Sequence, residues 1–195
     1  MVTDARQRLI DSATALLTDE GVEAVTLRRI AREAGVSHGA PLRHFAGRTE
    51  LLSAVATTGF AELRRRGEDL ATGSPRERLF AMCRAYIEFA LANPAMFELM
   101  FRRDLVDADE PELASTNTAV FDDFSRLVRE AQADGWRSDA DPTVLTASLW
   151  AALHGLATLW LWGGLPDALD RGRVDAALTV TLEAYLGPSP PAPQP

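Results

Sequence analysis

Apolar residues recur every three or four positions along nearly the whole chain, which is the spacing of one face of an α-helix. The first such stretch carries Leu9, Ile10, Leu16 and Leu17 and stops at Gly21. No stretch alternates apolar and polar residues as a half-buried strand does. The pattern therefore predicts an all-α protein of about nine helices.

Proline and glycine mark where these helices begin and end. Ser74-Pro75-Arg76-Glu77 has the order of a helix start, with an N-cap, a proline and a glutamate that completes a capping box. Asn93-Pro94 ends that helix and begins a short one, and a later helix runs from Pro142 to the Gly163-Gly164 pair. We expect the proline-rich tail, residues 188–195, to be disordered.

The stretch Thr26–Phe45 predicts two short helices joined by a tight turn. Ile30 and Ala31 share a face of the first helix, and Gly35 stands where the chain must take a positive φ. Ser37 is a natural N-cap for the second helix, predicted over Ser37–Phe45. This is the order of a helix-turn-helix motif, whose second helix enters the major groove of DNA.

The motif and its flanks resemble the TetR family of bacterial transcriptional regulators. The matching residues are Ile30-Ala31, Ala34-Gly35-Val36-Ser37, His44-Phe45, Arg48 and Leu51-Leu52. The resemblance implies a DNA-binding domain over residues 1–48 and a ligand-binding and dimerisation domain over residues 49–187. The second half also resembles the subgroup whose C-terminal domain is named after a Trp-His-Gly signature. Its matches are Leu153-His154-Gly155-Leu156-Ala157, Trp160 and Gly163-Gly164, with Leu153 in place of the tryptophan.

The acidic charge of the chain lies outside the predicted DNA-binding domain. The net charge is −8, yet residues 1–50 hold seven Arg against seven Asp or Glu, whereas residues 51–195 hold 13 against 21. An acidic body repels DNA at long range, so we expect weak non-specific binding and reliance on close contacts. The single Cys83 excludes an intramolecular disulfide, and no secretory signal begins the sequence, which favours a cytoplasmic location.

The resemblance also implies which residues touch DNA. Carried over position by position, these are Thr26, Arg28, Ser37, His38, Ala40, Leu42, Arg43, His44 and Arg48. Leu42 stands where the family usually has a tyrosine that reaches a phosphate, and leucine cannot donate a hydrogen bond. Two consequences stay open: an affinity lower by ~1 kcal/mol, or a contact between Leu42 and a thymine methyl group.

Family members bind a small molecule inside the C-terminal bundle and pair through its last two helices. The residues we expect to line the pocket are Tyr86, Phe97, Met100, Phe101, Phe121 and Trp150. So apolar a set favours a hydrophobic or aromatic effector. The residues we expect at the dimer interface are Leu153, His154, Trp160, Leu178, Leu182 and Tyr185.

Two other interpretations stay open at this point. An all-helical enzyme would use His154 in an apolar pocket, although no second catalytic or metal-ligating residue lies at helical spacing from it. A membrane-attached protein would use the 25 uncharged residues from Pro142 to Pro166, although a buried helix explains them better. The favoured prediction is a homodimeric, ligand-responsive repressor that binds operator DNA, with no cofactor, metal or catalytic residue.

Overall fold

The computed structural model describes residues 5–68, 73–165 and 173–187. These residues form eight α-helices and two short 3-10 helices without a strand, which confirms the all-α fold. The α-helices are α1 Ala5–Glu20, α2 Leu27–Glu33, α3 Arg48–Glu68, α4 Pro75–Ala92, α5 Pro94–Phe101, α6 Pro111–Ala133, α7 Pro142–Leu161 and α8 Val174–Leu186. The predicted disordered tail, residues 188–195, lies outside the described residues.

Local capping chemistry sets several of these helix ends. At the start of α4 the Ser74 backbone N–H donates to Glu77 Oε2 (2.8 Å), and the Glu77 N–H donates to Ser74 Oγ (3.3 Å). This reciprocal pair is the predicted capping box, and its hydrogen bonds lower the pKa of the Glu77 carboxyl. At the start of α7 the Asp141 carboxylate accepts from the N–H groups of Thr143 and Val144, at 2.8 and 3.0 Å.

The helices form two compact units. The first unit comprises Met1–Glu62 and Asn93–Thr118, and the second comprises Leu63–Ala92 and Ala119–Pro195. The division therefore falls inside α3 and α6, not at the boundary between residues 48 and 49 that the sequence suggested. A functional boundary between residues 48 and 49 stays a prediction.

The first unit is built around α1, which packs against α2 and α5. Leu9, Ala13 and Ile30 are fully buried in its core. Gly59 on α3 lets α5 approach closely, because a Cβ atom at this position would lie 2.7 Å from Met100 Sδ. Burial of these apolar side chains supplies most of the stabilisation of the unit.

The second unit is built from α4, α7 and α8, each of which packs against the other two. Helix α7 buries a narrow stripe at helical spacing: Thr146, Leu149, Leu153 and Ala157. The other residues of this apolar helix are half-buried or exposed in the single chain. The helix is long and apolar enough to cross a membrane, with a mean hydropathy of 1.5 over an 18-residue window. Of that window, 22% is buried inside the single chain.

The second helix of the predicted motif differs from the expectation. Over Ser37–Phe45 the structure has a turn followed by the short 3-10 helix Pro41–Arg43, instead of a regular α-helix. Two of its bonds span three residues, from Ala40 N–H to Ser37 O (2.9 Å) and from Arg43 N–H to Ala40 O (3.1 Å), whereas the Phe45 N–H donates to Pro41 O, four residues earlier (2.9 Å). Pro41 has no N–H to donate to an earlier carbonyl, and Gly39 disfavours helix, so the α-helix prediction was wrong here.

Candidate nucleic-acid interface and effector sites

The turn of the motif is held by local hydrogen bonds. Thr26 caps α2 by accepting from the Arg29 N–H (3.3 Å). Gly35 takes a φ of 65°, and the next residue, Val36, donates its N–H to Ala31 O (2.9 Å). Ala31 is fully buried, as the close crossing of two elements at a turn requires. The predicted turn is therefore present although the element after it is not a regular α-helix.

The recognition segment, which we define as Ser37–Phe45, is anchored at one side and exposed at the other. Pro41 and Phe45 are buried, and the Arg6 guanidinium lies 5.4 Å from the centre of the Phe45 ring. Of the predicted DNA contacts in this segment, Ala40 and His44 are half-buried, and the others are exposed, namely Ser37, His38, Leu42 and Arg43. Leu42 is 62% exposed.

The arginines near the motif divide into paired and unpaired side chains. Arg29 donates to both carboxylate oxygens of Glu20 and lies 4.0 Å from a carboxylate oxygen of Glu33. Within the described residues, Arg28 and Arg43 make neither an ion pair nor a side-chain hydrogen bond. Both are exposed, so their guanidinium groups are available to an anionic partner.

Arg48, expected to hold a phosphate, instead makes internal hydrogen bonds. Its Nε donates to Val25 O (2.8 Å) and its Nη2 to Val22 O (2.6 Å), while Glu23 lies 3.8 Å away. These bonds join the first turn of α3 to the 3-10 helix Val22–Ala24 that precedes α2. The geometry makes Arg48 a positioning residue for the motif, and a direct phosphate contact stays a prediction.

The six residues predicted to line an effector pocket fall into two groups in different units. Phe97, Met100 and Phe101 belong to the first unit, where the Phe101 ring lies 5.1 Å from Phe97 and 5.6 Å from Phe60, centre to centre. The second group, Tyr86, Phe121 and Trp150, belongs to the second unit and forms a cluster with Phe124 in which Trp150 contacts the other three rings.

The second group is a packed aromatic cluster with one polar link. The Trp150 ring lies 5.3 to 5.9 Å from the rings of Tyr86, Phe124 and Phe121. The Tyr86 hydroxyl shares a hydrogen bond with His154 Nδ1 at 2.9 Å. Burial lowers the pKa of His154, so its imidazole is neutral at pH 7. The hydrogen bond joins α4 to α7 and gives His154 a structural role.

The first group borders a cavity of about 80 Å³ within the first unit. Met100 and Phe101 line it together with residues the sequence did not single out, among them Phe60, Leu113, Arg103 and Asn117. No local pattern identifies this set, because α3, α5 and α6 contribute to it from positions nearly 60 residues apart.

The predicted interface residues also divide by exposure. Leu153, Leu178 and Leu182 are at most 1% exposed within the single chain, so their side chains pack inside the second unit. His154, Trp160 and Tyr185 are half-buried. The large apolar side chains that are exposed in this region were not among the predicted interface residues. They are Val144 and Leu159 on α7, Trp162 directly after it, and Val180 on α8. The uncharged composition of α7 was the sequence signal for Val144, Leu159 and Trp162.

The described residues offer little for metal or thiol chemistry. No group of three or more His, Cys, Asp or Glu side chains within residues 5–68, 73–165 and 173–187 can hold a metal ion. Cys83 is fully buried, and this burial raises the pKa of its thiol far above the ordinary value. A thiol in this environment is inert as a nucleophile.

The fold and the exposed motif define a helix-turn-helix transcriptional regulator, and the comparison with protein families identifies which kind. Residues 9–55 match the family of bacterial regulatory proteins called the tetR family, and residues 79–185 match the tetracyclin repressor-like C-terminal domain. The chain belongs to the TetR family of transcriptional regulators. These matches do not distinguish the Trp-His-Gly subgroup, which stays a prediction.

Individual relatives agree with this assignment. A protein of unknown function from Rhodococcus sp. RHA1 has a similar structure, with a TM-score of 0.79, 33% identity and 94% of each chain covered. The HTH-type transcriptional repressor KstR of Rhodococcus jostii is 28% identical over 94% of this chain and 84% of its own. The HTH-type transcriptional regulator SrpR of Pseudomonas putida is 48% identical, but the match spans 27% of this chain and 24% of SrpR.

Proposed function

We propose that this protein is a homodimeric repressor that binds a pseudo-palindromic operator through the Ser37–Phe45 segment and leaves it when a small apolar effector binds. The observation that carries the proposal is the exposed Arg43 beside a well-formed motif turn, in a chain of this family. A guanidinium can bind the O6 and N7 atoms of guanine with two parallel hydrogen bonds. Two such segments in a dimer would read half-sites in successive major grooves.

The exposed surroundings of Arg43 support contact with DNA. Arg28 and Thr26 lie in the first turn of α2 and at its N-cap, where backbone N–H groups favour a phosphate. His38 and Ser37 add exposed polar groups beside them. Because the chain as a whole carries a charge of −8, specific binding has to come from these close contacts instead of long-range attraction.

The apolar side chains exposed on α7 and α8 support a homodimer. Val180 is 67% exposed, Val144 63%, and Trp162 51%, all in or next to helices of high apolar content. Large apolar side chains exposed to water are stabilised when an interface between subunits covers them. A second copy of the chain would cover them, and this would explain, without a membrane, why the single chain buries only one stripe of an apolar helix. We place the protein in the cytoplasm.

Release by an effector requires that the effector bind one conformation more tightly than the other. The coupling between effector and operator is typically ~1–3 kcal/mol, which changes operator affinity by roughly 5 to 150-fold. The relative KstR is named a repressor, and this supports repression over activation. The aromatic and methionine side chains of both units favour an apolar effector.

Fluorescence anisotropy with DNA that flanks the gene of this protein tests the proposal. We expect tight binding to the flanking DNA and weak, salt-sensitive binding to an unrelated duplex of equal length, each titrated at two salt concentrations. Arg43→Ala should reduce the difference in affinity between the two duplexes by roughly 10 to 100-fold. Arg129→Ala is the matched control, because Arg129 is an exposed arginine of α6 without a described ion pair. Equal, weak binding to every tested duplex would contradict the proposal.

A further inference from the structure

The cavity of about 80 Å³ in the first unit has apolar walls and a polar edge. Phe60 of α3, Phe101 of α5 and Leu113 of α6 supply apolar walls. Met100 also lines it, and a thioether side chain adapts its shape to different occupants. Pockets that bind small molecules combine such walls with a few polar groups that fix the orientation of the ligand.

Arg103 and Asn117 form the polar edge. Both side chains are exposed, and neither makes a side-chain hydrogen bond or an ion pair with any residue the structure describes. The adjacent Arg102 contrasts with Arg103, since its guanidinium donates to Glu98 (2.9 Å) and to both oxygens of Asp104 (2.8 and 2.7 Å). The guanidinium N–H donors of Arg103 are therefore available to a ligand.

The charge of this edge selects the chemistry of an occupant. Arg103 is the charged residue that lines the cavity, whereas Asp107, Asp109 and Glu110 of the next loop line a separate, open cleft. A guanidinium presents a fork of N–H donors that matches the two oxygens of a carboxylate. The Asn117 amide adds a neutral donor beside it.

The volume of the cavity limits the apolar part of the ligand. A cavity of about 150 Å³ is known to accept benzene, so about 80 Å³ accommodates a short aliphatic chain but not an aromatic ring. We propose that this cavity binds a short aliphatic carboxylate of roughly three to five carbon atoms, with its carboxylate on Arg103 and Asn117. The role of this ligand as the effector rests on the proposed repressor function, and its carboxylate would make the effector amphipathic instead of wholly apolar.

The cavity lies in the same packing unit as the helix-turn-helix motif. Phe60 lies on α3, the helix that begins at Arg48 directly after the recognition segment. Met100 and Phe101 lie on α5, whose residues Ala95 and Leu99 face Leu17 near the end of α1. Helix α3 is hydrogen-bonded through Arg48 to the segment before α2, and α5 packs against α1, which packs against α2, so an occupant that displaces α3 or α5 can move the motif.

Ligand-observed NMR titration of the full-length protein with sodium butyrate tests the site independently of DNA. Arg103→Gln should weaken butyrate binding by about ten-fold or more, because it removes a charge-assisted hydrogen bond pair. Arg129→Gln is the matched control and should stay within about two-fold of the natural protein. Butyramide, which has the same chain without the charge, should bind at least about ten-fold more weakly than butyrate.

A second variant tests the cavity itself. Ala108→Leu places three further carbons at the lining of the cavity and should abolish butyrate binding, while thermal melting and operator anisotropy check that the protein is folded. Equal binding of butyramide and butyrate, an unchanged affinity in Arg103→Gln, or undiminished butyrate binding in folded Ala108→Leu would overturn the proposal.

The two proposals fail in different ways. Arg103-dependent butyrate binding without any operator binding would uphold the carboxylate site and contradict the repressor function. Specific operator binding without Arg103-dependent butyrate binding would uphold the DNA-binding function and overturn the site. Butyrate that weakens operator binding in the natural protein but not in Arg103→Gln would support both.

Discussion

The recognition segment and the outer faces of α7 and α8 expose opposite kinds of side chain. The segment buries Pro41 and Phe45 and exposes Ser37, His38 and Arg43, with a single large apolar side chain at Leu42. Helices α7 and α8 bury one stripe each and expose further apolar side chains.

This difference indicates two different kinds of partner. Exposed hydrogen-bond donors on this segment suit a polar, anionic surface such as DNA, whose phosphate oxygens and base edges accept hydrogen bonds. Exposed valine, leucine and tryptophan suit a partner that removes water, such as the same face of a second copy. A dimeric regulator needs both surfaces, since the second sets the spacing between two copies of the first.

The largest effect is expected from a charge placed on the apolar surface. Val180→Asp and Val144→Asp should each raise the dissociation constant of the dimer by roughly 100-fold or more, because a carboxylate would lose water at the interface. Sedimentation velocity measures the change. Val144→Asp should leave the chain folded, because an acidic side chain in the first turn of a helix is favourable.

Thr118→Asp is the control, because it adds the same charge to an exposed position of α6. It should leave the dimer intact. A dimer that survives both valine substitutions would contradict an interface on α7 and α8. Operator binding by the monomeric variants should fall by at least two orders of magnitude, since each would engage one half-site instead of two.

The second-largest effect is expected from the loss of the Arg43 side chain. Arg43→Ala should lower operator affinity by roughly 10 to 100-fold, which corresponds to the ~1–3 kcal/mol of a bidentate base contact. Its melting temperature should stay unchanged, because Arg43 is exposed and has no described internal partner. Anisotropy against operators mutated one base pair at a time would locate the contact. A uniform loss across all mutated operators would indicate a phosphate contact instead.

Replacement of Arg48, unlike that of Arg43, should lower the stability of the protein. Arg48→Ala removes hydrogen bonds to Val22 O and Val25 O and should lower the free energy of unfolding by about 1–2 kcal/mol, less than a fully buried pair would. Urea denaturation measures this loss. Arg48→Lys should restore only part of it, because one ammonium cannot reproduce the guanidinium fork. Full stability in Arg48→Ala would contradict the positioning role.

The contrast between Arg43 and Arg48 shows what the sequence could and could not predict. Helix ends and the motif turn depend on neighbours within five residues, so Ser74, Glu77 and Gly35 could be interpreted correctly from their local order. The bonds of Arg48 run to carbonyls 23 and 26 residues away, and no local pattern identifies them. Spacing therefore found the motif but not how it is held in place.

Sequence spacing also does not decide which apolar residues are buried. Helical periodicity correctly marks Leu153 and Leu159 as apolar positions of one helix, but only the packing of α4, α7 and α8 decides that Leu153 is buried and Leu159 is 46% exposed. Likewise, periodicity cannot assign Phe97 and Phe121 to different units. The α-helix expected after the turn failed because Pro41 removes a hydrogen-bond donor.

The smallest effect is expected at Leu42, where the recognition segment departs from its otherwise polar surface. Leu42→Tyr should raise operator affinity by roughly five-fold, because the phenol can donate a hydrogen bond worth ~1 kcal/mol to a phosphate. Leu42→Phe is the control, since it adds the ring without the hydroxyl. If leucine instead contacts a thymine methyl group, Leu42→Tyr should lower affinity for the natural operator. Replacing that thymine by uracil should then weaken binding of the natural protein but not of Leu42→Ala.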